Sequence, residues 1–220
     1  MRKFINIILT LIFSIFIFNH YHANDSISFH SSVLLKNHKG LIPLKNLDTL
    51  EIASLNLSSN NLNIFEEACD HYSTVEHFHF NTFSSKRMVR SMIKELKSFN
   101  IIIVNTDTIH EIIANMISTI SNQNKVILNY VGGRKLMYED LINKSCQSIL
   151  FSPNKKSKDL GFSGQIIFGG LSCNNVLKTD LSHNYKAQSG IKSKKIRLSY
   201  VSPIDIKIKK NQLYKIDSIV

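Results

Sequence analysis

Short apolar runs alternate with segments of helical periodicity along most of the chain. Two unbroken runs rich in β-branched residues, 101–104 and 126–128, are typical of strands that helices cover on both faces. Three further apolar segments are predicted to join the same sheet: residues 50–57, 75–80 and 148–151. Between the two strong strands, apolar side chains recur at three- and four-residue steps over residues 109–120, which predicts an amphipathic helix.

Local signals predict where several helices begin and end. Thr108 and Glu111 fit a capping box, in which the Thr hydroxyl accepts a hydrogen bond from the backbone N–H of Glu111. A second apolar stripe predicts a helix over residues 88–96, and residues 157–168 are predicted as the last helix, closed by Gly169 and Gly170. The alternation of strands and helices predicts an α/β protein, a three-layer α/β/α sandwich with a mostly parallel sheet.

The N-terminus has the basic, apolar, polar order of a secretory signal. Residues 1–23 are predicted to be a signal peptide cut after Ala23, because the apolar run 4–18 is shorter than the roughly 20 residues that cross a bilayer. The alternative is an uncleaved anchor formed by residues 4–18. We expect an exported protein, periplasmic or secreted, that contacts a membrane only if the leader is uncleaved.

The rest of the chain divides into three predicted parts. Residues 24–47 are expected to form an N-terminal lead-in helix and turn, and residues 48–180 the α/β sandwich domain. Residues 181–220 are expected to be a basic C-terminal extension with a short strand over residues 195–200.

The formal net charge is +11, and the excess of basic residues is heaviest near the C-terminus. Such a patch could attract nucleic acid, anionic lipid or an acidic cell-wall polymer. Lysine is abundant throughout the chain, so a solvated basic surface is the favoured interpretation. The tail lacks the interleaved aromatic residues of a base-stacking surface, and no nucleic-acid partner is expected. Of the three cysteines, one pair could form a disulfide, but small buried residues are favoured: Cys69, Cys146 and Cys173.

Few residues carry a recognisable catalytic pattern. The adjacent carboxylates Glu66–Glu67 and Glu139–Asp140 point in different directions on a helix, so neither pair suits acid/base hydrolysis. The segment 161–164 differs from a nucleophile elbow in its glycine spacing, and its small residues are expected to pack closely against the sheet. We therefore assign no catalytic residue.

One weak ligand site is predicted. Gly132, Gly133 and Arg134 follow a strand and are expected to open a helix, so backbone N–H groups and the guanidinium could hold an anion; a tight turn explains the glycines equally well. His77 and His79 would share one face of a strand near His71, but no third zinc ligand has a recognisable spacing. We predict neither a metal site nor a cofactor.

Residues 31–44 read SSVLLKNHKGLIPL. This segment resembles the opening of the C-terminal α/β sandwich domain of family 3 glycoside hydrolases, where a helix carrying S-x-V-L-L-K-N leads into L-P-L. Further on, residues 126–134 resemble the family's strand with a glycine turn, and residues 163–170 resemble its A-Q-x-I-F-G-G helix end. Residues 194–200 are similar to an R-L-x-Y strand of the β-N-acetylglucosaminidase branch, and residues 213–220 to the helix that begins a following domain in its long fused enzymes.

The resemblance covers about residues 27–220, with a departure at residues 175–178, where the family has G-K-L-P and this chain has N-V-L-K. In that family a catalytic barrel precedes the sandwich domain and supplies the nucleophilic Asp, which residues 1–30 cannot encode. The resemblance thus implies an exported accessory domain, non-catalytic alone, paired with a separately encoded barrel that acts on β-N-acetylglucosaminides of cell-wall glycans. The alternatives are a carbohydrate or anionic-polymer binding module, and an inactive remnant of a split gene.

Overall fold

A computed structural model describes residues 30–58, 62–80 and 86–200. Within this part, six strands form one sheet in the order β1-β6-β5-β4-β2-β3. They are β1 (Val33–Asn37), β2 (Ile52–Asn56), β3 (Val75–His79), β4 (Ile101–Thr106), β5 (Lys125–Val131) and β6 (Ser148–Ser152). All neighbouring pairs are parallel except β1 with β6. The predicted mostly parallel sheet is confirmed.

Five α-helices lie in the described part of the chain. They are α1 (Asn63–Asp70), α2 (Lys86–Leu96), α3 (Glu111–Ser121), α4 (Glu139–Ser145) and α5 (Ser157–Phe168). Helices α2, α3 and α4 contribute to one apolar cluster against the sheet, and α1 and α5 contribute to a second. Because consecutive side chains of a strand point to opposite faces, each strand feeds both clusters. The predicted three-layer α/β/α sandwich is confirmed.

The two central strands are buried along their length. All six residues of β4 are buried, and in β5 only Lys125 at the start is exposed. A strand covered by helices on both faces needs apolar side chains at consecutive positions rather than in alternation. This explains the unbroken runs that identified both strands in the sequence.

The predicted lead-in helix is wrong for the described residues, because Val33–Asn37 form strand β1. The strand pairs antiparallel with β6, with Val33 opposite Phe151. Val33 and Leu35 lie in the first apolar cluster, and Leu34 lies in the second. Three adjacent apolar residues therefore serve the two faces of a sheet rather than one stripe of a helix.

The capping box predicted at Thr108 is also wrong. Helix α3 begins at Glu111 with His110 as its N-cap, and the cap side chain makes no hydrogen bond to the helix. Thr108 belongs to the preceding loop, where its carbonyl accepts a hydrogen bond from the Thr106 hydroxyl at 2.6 Å. By contrast, α5 has the predicted bounds and ends at Gly169 in the left-handed conformation, with φ of 81°.

Residues 195–200 are irregular, so the strand predicted there is wrong. The backbone N–H groups of Ile196 and Arg197 both donate to the carbonyl of Gly169, at 2.8 and 2.9 Å. The Arg197 guanidinium donates to the carbonyls of Leu44 and Phe168. These bonds attach the segment to the end of α5.

Residues 181–200 begin the predicted basic extension, yet part of the segment belongs to the core. Leu181 and Tyr185 are buried in the first apolar cluster, and the N–H of Ile191 donates to the carbonyl of Leu34 at 2.7 Å. The leader lies outside the described residues, and so does the remaining tail 201–220, which includes the segment 213–220. Among the described helices, none is long and apolar enough to span a bilayer.

Candidate functional site

A cleft of about 780 Å³ opens at one edge of the sheet, where β5 and β6 end and β1 begins. In an open α/β sheet the carboxyl ends of parallel strands reach the same edge, which is the usual place for ligands. Its lining includes Gly133 and Arg134 after β5, Asn154 after β6, His30 before β1, and the loop residue Asn175. These residues are far apart in sequence and meet only because of the strand order.

The structure places two residues of the predicted Gly132–Gly133–Arg134 site on this lining, Gly133 and Arg134. The expected helix N-terminus is absent from this turn, because α4 begins only at Glu139. The N–H of Gly132 donates to the carbonyl of Ser152 at 2.7 Å, so it is not available to an anion.

Close packing explains both glycines of this turn. Gly132 has φ of +68°, and a Cβ there would collide with the side chain of Lys155. A Cβ on Gly133 would collide with the ring of Tyr130. Arg134 is exposed and makes no hydrogen bond or ion pair within the described part of the chain. The guanidinium is therefore the part of the predicted site that remains open to a ligand.

His30 lies on the cleft wall, and both of its ring nitrogens contact polar groups of the protein. Its Nε2 is 2.8 Å from the carbonyl oxygen of Ser172, which can only accept, so Nε2 carries the proton. Its Nδ1 is 3.3 Å from the amide nitrogen of Asn175. Burial lowers the pKa of His30, in agreement with a neutral imidazole.

Asn175 anchors the loop that forms one side of the cleft. Its amide donates to the carbonyls of His30 and Ser32, at 2.8 and 3.0 Å. Within the resemblance this position only marked a departure from the G-K-L-P turn, and sequence reasoning missed its bonding role. The single available signal was the replacement of a glycine by a residue with an amide.

A chain of polar side chains continues along the rim. Asn154 donates to the Ser31 hydroxyl at 3.0 Å, and Ser31 donates to the Asp159 carboxylate at 3.4 Å. Below them, the buried hydroxyls of Ser32 and Ser152 are 2.8 Å apart. The rim thus presents amide and hydroxyl groups that are already oriented by the protein.

Cations outnumber free carboxylates around the cleft. Asp180 is the one carboxylate on the lining in the described part, and it forms an ion pair with Lys186 at 3.2 Å. Arg134 and Lys178 line the cleft without an ion pair among the described residues. Acid/base cleavage of a glycosidic bond uses two positioned carboxyl groups. The described lining can bind a polar or anionic ligand, but it does not hold that pair.

The other sequence candidates have structural roles. His77 contacts Asp70 at 3.1 Å and His79 contacts Glu66 at 3.3 Å, so the two imidazoles bind separate carboxylates. No three potential ligand side chains cluster for a metal within the described ranges. The expected packing of Gly164 against the sheet is wrong: a Cβ on Gly164 would lie 3.2 Å from Ala68, so this glycine packs against helix α1.

All three cysteines are free and buried, as favoured from the sequence. Burial raises the pKa of Cys146 to about 12 and that of Cys173 to about 11. Burial also raises the pKa of Cys69 well above its ordinary range. None of the three thiols is therefore an activated nucleophile.

Comparison with known proteins identifies the fold. No protein-family model and no curated sequence matches the chain. Among solved structures, a β-glucosidase from Listeria innocua in complex with glucose superposes with a TM-score of 0.57 at 14% sequence identity, over 69% of this chain and 25% of that chain. A fungal multi-domain GH3 β-N-acetylglucosaminidase matches with a TM-score of 0.54 at 12% identity, over 78% of this chain and 18% of that chain.

This chain has the fold of one part of family 3 glycosidases. A family 3 β-N-acetylglucosaminidase from a Paenibacillus species gives a TM-score of 0.51 at 7% identity, over 78% of this chain and 31% of that chain. The resemblance seen in the sequence is confirmed at the level of fold, and these identities establish nothing finer. The chain spans about a quarter of the length of the glycosidase chains it matches.

Proposed function

We propose that this chain is an exported accessory domain of the family 3 glycosidase type, which acts together with a catalytic barrel on β-N-acetylglucosaminides of cell-wall glycans. The observation that carries the proposal is the fold likeness, which covers 69% of this chain but only 25% of the Listeria β-glucosidase. A fold that forms a quarter of an enzyme is a natural partner for the remaining part.

The cleft supports the non-catalytic half of the proposal. Asp180, its one lining carboxylate in the described part, is held by Lys186 and by the N–H of Ala187. Displacement at a glycosidic carbon needs a second carboxyl or an equivalent proton-transfer group, which a partner would have to supply. In this proposal the catalytic groups come from the barrel.

The same cleft is the part of the surface that would face the glycan. Sugar hydroxyls and N-acetyl groups are recognised through hydrogen bonds, and the rim offers the Asn154 amide and the Ser31 hydroxyl in a fixed arrangement. Arg134 adds a planar donor that carries no internal partner in the described part. We assign Arg134 and Asn154 to ligand binding.

Turnover of a chromogenic N-acetylglucosaminide tests whether the barrel supplies the catalytic groups and this chain assists it. The purified full chain should show no hydrolysis alone, and it should raise the rate of an exported family 3 barrel encoded in the same organism. Arg134→Ala should weaken that effect roughly tenfold, the size of one lost charge-assisted hydrogen bond. Lys135→Ala, at an exposed neighbour outside the lining, is the matched control. Turnover by the chain alone, or a genome without such a barrel, would refute the pairing.

A second candidate function is a binding module that works alone, and the unpaired Arg134 and Lys178 of the lining favour it. Calorimetric titration of the chain with N-acetylglucosamine oligomers and with a carboxylated sugar separates the two functions. A stand-alone module binds with full affinity without a barrel, and its affinity for the acidic sugar falls steeply with salt.

Export is part of the proposal and has its own test. We propose that residues 1–23 direct the chain out of the cytoplasm and are removed after Ala23. Mass spectrometry of the chain recovered from its native host should then find Asn24 as the first residue. An intact Met1 on a membrane-bound chain would instead support the anchor formed by residues 4–18.

A further inference from the structure

A row of cations runs along the outer side of α2, at the end of the sheet opposite the cleft. The row comprises Arg87, Arg90, Lys94 and Lys97, all of which are exposed. At 3.6 residues per turn, Arg87, Arg90 and Lys94 project from α2 within an arc of about 60° and span about 10 Å along its axis. Lys97 lies in the turn that follows the helix. We call these four residues the α2 stripe.

No counter-charge neutralises the stripe within the described residues. None of its four side chains forms an ion pair or hydrogen bond there. Elsewhere, several other cations are bonded: Lys155 to Asp107, Lys186 to Asp180, and Lys36 to two carbonyls. Glu95, the carboxylate of α2, projects about 80° from Arg87 on the side away from the stripe.

The packing of α2 fixes the direction in which the stripe points. Met92 and Leu96 are buried in the first apolar cluster, and Val89 and Ile93 pack against it. The apolar side of the helix is therefore occupied by the protein core, and rotation of the helix would expose it. The helix therefore presents Arg87, Arg90 and Lys94 on the side that faces away from the core.

From this geometry we propose that the α2 stripe binds an extended phosphate polymer of the polyol phosphate kind, one chain lying along the helix. Arg87, Arg90 and Lys94 are three and four positions apart, so their charges repeat about every 4.5–6 Å along the helix. A line of cations at this interval matches a linear chain with one negative charge per repeat and gains affinity by releasing counterions. The proposal concerns a surface separate from the cleft and is independent of the glycosidase partnership.

Two other polyanions fit the stripe less well. Single-stranded nucleic acid gains its affinity from aromatic side chains on which bases stack, and no aromatic residue belongs to α2. A helix that binds an anionic bilayer inserts its apolar side between the lipids, whereas the apolar side of α2 is occupied by the core. A linear polymer read by charge alone needs neither feature.

The proposal is tested by calorimetric titration. The full chain is titrated with synthetic poly(glycerol phosphate) over a range of salt concentrations. The variant replaces all four stripe residues with glutamine, which preserves helix propensity. It should bind roughly 100-fold more weakly at low salt, and its plot of log affinity against log salt should be shallower by about 3. Circular dichroism and the thermal midpoint verify that the variant is folded.

The matched control removes the same charge elsewhere, by Lys45→Gln, Lys144→Gln, Lys192→Gln and Lys194→Gln. These lysines are exposed and unpaired in the described part, so any effect of net charge alone appears equally in both variants. The proposal fails if the two variants bind alike. It also fails if a thymidine oligonucleotide or phosphatidylglycerol vesicles of equal phosphate content bind the wild type more tightly than poly(glycerol phosphate).

Discussion

The side chain of Asn37 holds both backbone polar groups of Ile42. Its Oδ1 accepts from the Ile42 N–H at 2.9 Å, and its Nδ2 donates to the Ile42 carbonyl at 2.7 Å. This clamp closes the turn between β1 and the buried pair Ile42 and Leu44, which enter the second apolar cluster. The asparagine in the segment VLLKNHKGLIPL thus has a physical role, since it turns the chain from the sheet edge onto the α1 and α5 layer.

Asn37→Ala should destabilise the fold by about 1–3 kcal/mol, because it leaves two backbone groups without their partner. Urea denaturation measures this loss as a lower midpoint at an unchanged slope. The stability of Asn37→Asp should lie between those of the wild type and Asn37→Ala, since the carboxylate still accepts from the Ile42 N–H. The control is Asn115→Ala, at an exposed position of α3, which should be neutral or slightly stabilising. Equal stability of the two alanine variants would contradict the clamp.

Two glycines of α5 provide a matched pair for the contact between α5 and α1. A Cβ on Gly164 would lie 3.2 Å from the Phe65 carbonyl and 3.3 Å from Cys69 Sγ, both buried and fixed. A Cβ on Gly161 would lie 3.0 Å from the Cγ2 methyl of Ile64 and 3.7 Å from the Ile64 carbonyl oxygen. The Ile64 side chain is 44% exposed, so it can move away.

Both Gly→Ala changes gain about 1 kcal/mol of helix propensity, so their difference reports the contact alone. Gly161→Ala should be more stable than Gly164→Ala by at least about 1 kcal/mol, because overpacking is costly against backbone atoms. Chemical denaturation of the two variants side by side gives this difference directly. If Gly164→Ala proved the more stable of the two, the close helix contact would be in error.

His30 should make stability depend on pH. Burial lowers its pKa in the folded chain below the ordinary value of 6.5, so below pH 6.5 the unfolded chain binds a proton that the folded chain resists. The contribution of His30 is therefore fully present above pH 6.5 and is lost as pH falls through the folded pKa. The thermal midpoint of the wild type should drop more steeply between pH 7 and pH 5 than that of His30→Gln.

Glutamine can keep the bond to the Ser172 carbonyl but does not titrate. The variant therefore separates the effect of His30 protonation on stability from the effect of this hydrogen bond. His183→Gln, at an exposed position, should retain the wild-type slope. An NMR titration of the His30 ring gives the pKa itself. A midpoint above 6.5 would contradict the neutral tautomer.

The three buried thiols should resist modification. Their raised pKa values leave almost no thiolate at pH 8, and burial blocks access to reagents. Native chain treated with iodoacetamide at pH 8 should remain unmodified by mass spectrometry over the time in which urea-unfolded chain takes up three adducts. Rapid labelling of one thiol in the native chain would show that its surroundings are open.

Local pattern sufficed for most of the sheet and helices. The apolar runs of β4 and β5 and the glycine stop of α5 are set by residues adjacent in sequence, so their structure can be predicted from short windows. The same windows misassigned β1, because three consecutive apolar residues suit a helix turn as well as a strand that faces two layers. The pairing of β1 with β6 joins residues more than 100 positions apart, and no local signal encodes it.

For the candidate site, residue pattern was enough to predict that a glycine turn and Arg134 follow β5, at the edge where open α/β sheets usually bind ligands. The bond that occupies the Gly132 N–H, the burial that lowers the pKa of His30 and the anchoring of the opposite wall by Asn175 could not be predicted from the sequence. The physical reason is that each of these properties depends on residues supplied by another strand or loop. Residue type fixes what a group can donate or accept, and the fold alone fixes which partner it meets.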